Sequence, residues 1–592
     1  MDTPVERPLV LFDGRCGFCK IWVEYARRLT QSAANYAPAA ERAPEFPSIP
    51  EEAYARSVQL ILPEGERLEG ARAAFTLLAL APGKGWLLWL YESLPGFAPA
   101  AESSYRLIAA HRNLFAWLTR VAFGPRVVPL SYERIHDVFL RLLGFCYFCA
   151  FASLGLQIRG LVGQEGISPA QRLLEAASQA LGHAAWWRLP SLFWLNCSDT
   201  ALEAACWLGA SVAVAILAGM RHRAALAALY VLYLSLSSVG QDFLSFQWDA
   251  LLLEAGFLAL VFGRSTLAVW MYRWLLFRLM FLSGSVKLLS HDPNWRNLTA
   301  LSYHYWTQPL PTPVAWYLAK LPEMMQKIST GSVFFIELAV PFLIFAPRRL
   351  RWIGAGFLVA LQLLILMSGN YAFFNLLALS LCLFCFDDGI FRLERSVAFR
   401  RGPAGLRFAA LAIVLLGLGG MYETFFHAEP MPLGAVERLV GPFEIANTYG
   451  LFAVMTTVRI EIQIEGSDDG LTWKVYTLPY KPGPLGRRPA WVAPYQPRLD
   501  WQMWFAALGN WRENPWFVSL MKRILDGQKP VLALFEENPF PKAPPRYVRA
   551  LAFEYRFTTP DERRTTGNWW ARMPRGEYLQ PISLESFVRT GE

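Results

Sequence analysis

Two cysteines separated by two residues stand at Cys16 and Cys19, in the run Leu9-Val10-Leu11-Phe12-Asp13-Gly14-Arg15-Cys16-Gly17-Phe18-Cys19. The thiolate is the reactive form of cysteine, and unpaired amides at a helix N-terminus stabilise it. The apolar run Leu9–Phe12 reads as a buried strand, Gly14 supplies a turn, and Ile21, Trp22, Tyr25 and Leu29 recur at helical spacing. Cys16 therefore sits at the start of a helix, placed to attack a disulfide, and Cys19 one turn on is placed to resolve the mixed disulfide. Asp13 completes the catalytic set. The competing readings are an inert relic and half of a zinc site. The second is the weaker, because lone His111 is the one further Cys or His in this segment. No metal site is expected, and no cofactor.

Other chemistry-bearing residues lie in apolar surroundings. Asp249, Glu254, Lys287 and Glu337 are ionisable groups within apolar runs, where charge is costly and usually functional. Cys146/Cys149 and Cys382/Cys385 repeat the two-residue spacing inside helical segments. They are either a redox relay reaching the head or, more simply, small packing residues. Cys197 and Cys206 are placed for a disulfide on the far side of the membrane. His291 and His304 fall in a loop and read as solvated rather than metal-bound.

The elements carrying these residues separate into three regions. Apolar residues make up 54% of 592 and charged residues 17%, while mean hydropathy is +0.26 despite polar ends. The apolar content must therefore be concentrated in the middle, as in a membrane protein. Residues 1–126 read as a small α/β domain. Residues 137–421 hold nine candidate spans, near 137–160, 200–220, 222–239, 243–262, 266–289, 330–346, 350–367, 370–387 and 404–421. Residues 430–592 read as a β-rich, sandwich-like domain. There Arg459–Glu465 alternates with period two, Gly466-Ser467-Asp468-Asp469-Gly470 turns, Val548–Phe557 forms another strand, and some helix falls around 499–526. Trp501, Trp504, Trp511 and Trp516 cluster in that last segment, as aromatics available to a partner.

A net charge of +9 raises nucleic acid as a partner, but the arginines sit in short loops between spans, where topology accounts for them. Arg221/Arg223, Arg264, Arg348/Arg349/Arg351 and the cluster Arg392, Arg395, Arg400, Arg401 follow spans two, four, six and eight. This alternation places the N-terminal domain in the cytoplasm and residues after Tyr422 outside. Met1–Pro8 is polar and lacks a secretory signal. Arginine well in excess of lysine points to a bacterial inner membrane.

The Asp13-Gly14-x-Cys16-x-x-Cys19 motif resembles the DCC family of thiol-disulfide oxidoreductases, which implies a thioredoxin-like fold for the head. The match extends more loosely through Gly70 and Ala73. Residues 140–585 closely resemble the lipase maturation factor family. The carrying segments are Leu161–Gly166, Phe246–Asp249, Leu253–Gly256, Ser283–Lys287, Asp292–Trp295, Tyr303–Trp306, Gln308–Pro313, Tyr449–Met455, Gly466–Gly470 and Pro494–Trp504. That resemblance implies a multispan protein whose extracytoplasmic tail helps secreted lipases reach an active fold. The Gly466–Gly470 hairpin is similar to discoidin-type sandwiches. The Gly284-x-x-Lys287 segment looks like part of vitamin-K-dependent carboxylases, where a lysine acts as base.

The expectation is a maturation factor for exported clients such as a lipase, embedded in the lipid bilayer and carrying a redox head. A membrane enzyme using Lys287, Asp249 and Glu254 on a lipid or quinone-like substrate is the alternative. A non-catalytic chaperone is the third reading. A cytoplasmic dithiol cannot touch an exported client, so either the buried cysteines carry reducing equivalents across or the head serves something else.

Overall fold

The computed structural model describes residues 3–124, 127, 130–391, 404–428 and 431–586. The Arg392, Arg395, Arg400 and Arg401 cluster and the boundary residues 126 and 430 lie outside them.

The head is a mixed sheet with helices on both faces. Strand β1 (Leu9–Phe12) leads into helix α1 (Gly17–Thr30), which returns to β2 (Asn35–Pro38), parallel to β1. Strands β3 (Gln59–Ile61) and β4 (Arg67–Glu69) add antiparallel on the other side of β1, in the order β2-β1-β3-β4. Alternation along β1 divides the core: Leu9 and Leu11 pack with Phe46 and Ile61, while Val10 packs with Leu60, Leu68 and Leu77. Helix α2 (Gly70–Ala79) starts at Gly70, whose φ of +67° favours glycine. Its first amides, Ala71 N and Arg72 N, donate to the Glu102 carboxylate at 3.2 and 3.0 Å. Helices α3 (Trp86–Ser93), α4 (Phe97–Ala110) and α5 (Arg112–Phe123) complete the head.

All nine expected spans are helical. They are α6 (Glu133–Gly155), α7 (Asp199–Leu217), α8 (Arg223–Val239), α9 (Gln247–Phe262) and α10 (Thr266–Leu289), followed, after the connecting helix α11 (Ala300–Thr307), by α12 (Glu323–Phe334), α13 (Arg348–Ser368), α14 (Phe374–Cys382) and α15 (Ala404–Phe426). Helix α12 continues through a π turn, Phe335–Ala339, and a 3₁₀ segment, Val340–Phe345. Five of these are long and apolar enough to cross a bilayer by length and composition: α6, α7, α12 with its extension, α13 and α15. The other four are shorter or more polar. Helix α9, with 16 residues, reaches about 24 Å, short of ~30 Å of hydrocarbon. Helix α10 carries Arg273, Arg278 and Lys287, all buried. These four pack among the longer helices, which shield their polar groups. The protein is an integral membrane protein, mostly helical, with two small sheets.

The basic loops gather at one end of the bundle. Asp137 near the start of α6 pairs with Arg221 at 2.9 Å and Arg264 at 3.2 Å, and Arg348 pairs with Asp387 at 2.8 Å. Asp388 accepts from Glu133 N, Arg134 N and Ile135 N at 2.8–3.1 Å and so caps α6. Helix α5 of the head packs on α13 at this end, with Gly124 against the Arg349 guanidinium.

The tail occupies the other end. Its sheet runs β6 (Lys474–Tyr476), β5 (Arg459–Ser467), β7 (Tyr547–Phe557), β8 (Trp570–Ile582), antiparallel throughout. The turn after β5 is held by the Asp469 carboxylate, which accepts from Leu471 N and Thr472 N at 2.8 and 2.7 Å. Among the described residues of the tail this is one four-stranded sheet. Helices α16 (Arg498–Ala506) and α17 (Pro515–Leu525) pack on it, with α16 meeting β5 and α17 meeting β7.

The tryptophans expected to be available to a partner are mostly covered. Trp501, Trp504 and Trp516 are 3–6% exposed. Trp501 meets Trp248 with ring centroids 4.7 Å apart, and Trp516 meets Phe243 at 5.7 Å. They bind the tail to the bundle, which removes far more apolar surface from water than a solvent-facing cluster would.

Candidate functional site

In the head, the turn between β1 and α1 presents the dithiol. Cys16 is the N-cap of α1, and its Sγ accepts from Cys19 N at 3.3 Å. Asp13 shapes the turn: its carbonyl accepts from Cys16 N at 3.3 Å and its carboxylate from Arg15 N at 2.8 Å. Gly14 lies where a Cβ would stand 3.0 Å from Pro38 Cβ, so the close pass of the turn over β2 favours glycine. Both thiols are half-buried and unbridged. Burial, the hydrogen bond with Cys16 and the charge of Cys16 push the Cys19 thiol up to about 12. Cys19 thus holds its proton at neutral pH, and Cys16 is the sulfur free to attack.

Sequence reasoning missed two neighbours. Arg112 lies 3.7 Å from the Asp13 carboxylate, and the Arg120 guanidinium lies 3.6 Å from where a Gly17 Cβ would stand. Both come from α5, eight residues apart and hence on one face. That spacing was readable; what it faced was not.

In the bundle, the four ionisable residues separate into three pairs. Asp249 (1% exposed) accepts from Arg498 Nη1 and Nη2 at 3.1 and 3.0 Å and from the Tyr233 hydroxyl. Glu254 pairs with Arg278 and also accepts from Tyr449 Oη at 2.7 Å and Asn447 N at 3.0 Å. Arg498, Tyr449 and Asn447 all belong to the tail, so these carboxylates anchor tail to bundle. Lys287 stands apart from both. Its Nζ donates to Glu337 Oε2 at 2.7 Å and to Ser283 O at 2.9 Å, and it lies 5.3 Å from the Trp295 ring. The structure thus brings Lys287 together with Glu337 and leaves Asp249 and Glu254 in separate pairs.

That last pair lines a cavity of ≈ 330 Å³ between α10, α11, α12, α13 and the tail's Leu451 and Phe452. Glu337 sits in the π turn, a local irregularity often found at functional sites. His304, expected in a solvated loop, lies in α11 and lines the cavity instead. Burial and the Lys287 charge pull it down to about 4, so the imidazole is neutral. His291 stays outside the cavity, against Arg296.

Cys146, Cys149, Cys382 and Cys385 are all buried, the first two on α6, Cys382 at the end of α14 and Cys385 in the 3₁₀ turn after it, and α6 packs on α14. Cys206 lies against Gly155 of α6, and neither it nor Cys197 is bridged. Among the described residues no three or more His, Cys, Asp or Glu side chains gather as metal ligands.

Comparison with known proteins assigns each region. Family models match at residues 10–118 (DCC1-like thiol-disulfide oxidoreductase), 134–393 (lipase maturation factor transmembrane domain) and 445–580 (lipase maturation factor C-terminal domain). Human lipase maturation factor 2 is 37% identical over 76% of this chain and 82% of its own length. Its Gallus gallus counterpart is 36% identical over the same shares. Lipase maturation factor 1 of Mus musculus is 32% identical over 82% of this chain and 90% of its own. No solved structure matches. A bundle and tail matched along nearly their whole length, behind a DCC1-like head, make this chain a member of the lipase maturation factor family.

Proposed function

We propose that this protein is a membrane-embedded maturation factor for exported clients, a lipase among them, with a thiol-disulfide head facing the cytoplasm and its tail outside a bacterial inner membrane. The observation that carries the reading is the anchoring of the tail. Two buried carboxylates of the bundle, Asp249 and Glu254, hold Arg498, Asn447 and Tyr449 of the tail, so the tail is a rigid platform on one membrane face. The arginine-rich loops and the head meet at the other end, and this placement of positive charge supports a cytoplasmic assignment for that end.

In the head, the Cys16 thiolate attacks a substrate disulfide, forming a mixed disulfide and releasing one substrate thiolate. Cys19 then attacks Cys16 Sγ, losing its proton to water or base, and releases the second substrate thiol. The head ends oxidised and the substrate disulfide ends as two thiols. Arg112 and Arg120 supply positive charge beside the turn. Because head and tail are at opposite ends, the head's substrate is distinct from the client at the tail.

Client activity in a strain carrying Cys16→Ser, measured beside the reduction potential of the Cys16/Cys19 couple, tests the redox part. Lost client folding with normal membrane expression supports it; unchanged folding removes the redox head from maturation and leaves a chaperone without turnover.

A further inference from the structure

The cavity beside Lys287 has the features of a ligand site rather than a packing defect. Its walls are apolar: Leu279, Leu301, Leu321, Val333, Ile336, Leu361 and Phe374 dominate. Its mouth is lateral. Helix α13 packs closely along Val340–Phe345, and its contacts thin out toward α12. Where the two diverge, Ile328, Ser332 and Leu364 line the cavity yet are exposed, Ile328 by 61% and Leu364 by 56%. Met325, Phe335, Phe357, Leu363 and Met367 of the same helical segments are exposed apolar side chains, as a lipid-facing surface requires, so a molecule enters from the bilayer.

Charge balance limits the head group of that molecule. Lys287 and Glu337 are the ionised residue types among the lining side chains, and they are paired at 2.7 Å. An anionic head would find no spare cation without breaking this pair in a low-dielectric setting, where an uncompensated charge is costly.

Hydrogen bonding limits it further. The Gln308 amide nitrogen donates to Tyr305 O and Ser368 O at 3.2 and 2.9 Å, which leaves its Oε1 to accept from the Tyr371 hydroxyl at 2.8 Å. Tyr371 Oη therefore accepts from His304 Nε2–H at 3.1 Å, and His304 Nδ1 is an acceptor. Lys287 uses two of its three N–H donors, on Glu337 and on Ser283 O. Within this network one donor, on Lys287, and one acceptor, on His304, remain for a ligand, while the hydroxyls of Ser283, Ser329 and Ser332 donate to their own helices at Leu279 O, Met325 O and Ile328 O.

We propose that this cavity binds a neutral acylglycerol-type lipid, its ester carbonyl accepting from Lys287 Nζ and its hydroxyl donating to His304 Nδ1, with the acyl chain leaving between α12 and α13. Because Leu451 and Phe452 of the tail close one wall, an occupied cavity couples lipid to the anchored platform. This inference does not depend on the head's redox activity.

The test uses the full chain in nanodiscs of phosphatidylcholine doped with a diazirine-bearing diacylglycerol or, separately, a diazirine-bearing phosphatidic acid with the same acyl chains. Crosslinks are mapped by mass spectrometry. The diacylglycerol probe should label residues 283–305, 328–337 and 361–374, and unlabelled diacylglycerol should compete. Phosphatidic acid should label these at least fivefold less. Ser332→Trp, which fills the mouth, should cut cavity labelling at least fivefold, whereas Leu411→Trp on the outward face of α15 should not. Equal labelling by both probes, or labelling indifferent to Ser332→Trp in a folded protein, overturns the assignment. Loss of cavity labelling with intact client maturation leaves the proposed function standing, so the two fail separately.

Discussion

Replacing Arg498 tests the joint between tail and bundle most sharply. Its guanidinium is fully buried and makes four hydrogen bonds: two to the Asp249 carboxylate, one to Phe243 O at 2.5 Å and one to Tyr233 Oη at 3.2 Å. Arg498→Met removes all four and leaves the Asp249 charge facing a single neutral donor, the Tyr233 hydroxyl. Breaking a buried pair from one side costs about 3–5 kcal/mol, and the orphaned Phe243 carbonyl adds about 1–3 kcal/mol. The double variant Asp249→Leu/Arg498→Met removes both charges and fills their space with apolar atoms. It should be left with little more than the carbonyl cost, so the two single costs together should exceed the double by at least about 3 kcal/mol. Chemical denaturation in mild detergent gives the four stabilities, and limited proteolysis of residues 459–582 reports whether the tail comes loose. A single Arg498→Met variant within about 1 kcal/mol of the parent, with its tail still protected, would refute the anchoring argument. Additive costs in the cycle would refute it equally.

Three further outcomes follow from the geometry. With its thiol raised to about 12, Cys19 should resist iodoacetamide between pH 6 and 9 while Cys16 alkylates, as read by peptide mass. The sign for stability is that of an acid raised by folding: the contribution is whole below about 9 and disappears as pH rises through about 12. Gly256→Ala drives a Cβ into the Tyr147 hydroxyl and should cost about 1–3 kcal/mol; Tyr147→Phe in the same chain should recover most of it, measured by thermal unfolding. Asp388→Ala uncaps α6, leaving the amides of Glu133, Arg134 and Ile135 without their carboxylate, and should cost about 2 kcal/mol on the same measurement.

Local patterns were legible where one element alone decides the outcome. The strand-turn-helix around Cys16, the Gly466–Gly470 hairpin and the helical nature of all nine expected spans follow from periodicity and turn chemistry within short windows. Partnerships between distant segments were not. Asp249 and Arg498 are 249 residues apart, and Lys287 and Glu337 are 50 apart; nothing in either run names the other. The same blindness explains the tryptophans. Trp501 looks identical on paper whether it faces solvent or Trp248, and packing decides. His304 was misplaced because α11 folds back against the bundle instead of standing in water. The single four-stranded sheet differs from the expected sandwich because helices α16 and α17 supply the apolar cover that a second sheet would provide.

The central claim is that the dithiol and the tail work in different compartments. In a chain with Cys16, Cys19 and Cys197 changed to Ser, single cysteines at Glu64, in the exposed turn before β4, and at Leu471, 85% exposed beside the tail hairpin, can be labelled with a membrane-impermeant maleimide in intact cells. Leu471→Cys should label from outside and Glu64→Cys only after permeabilisation. Labelling of both positions from the same side would contradict the account.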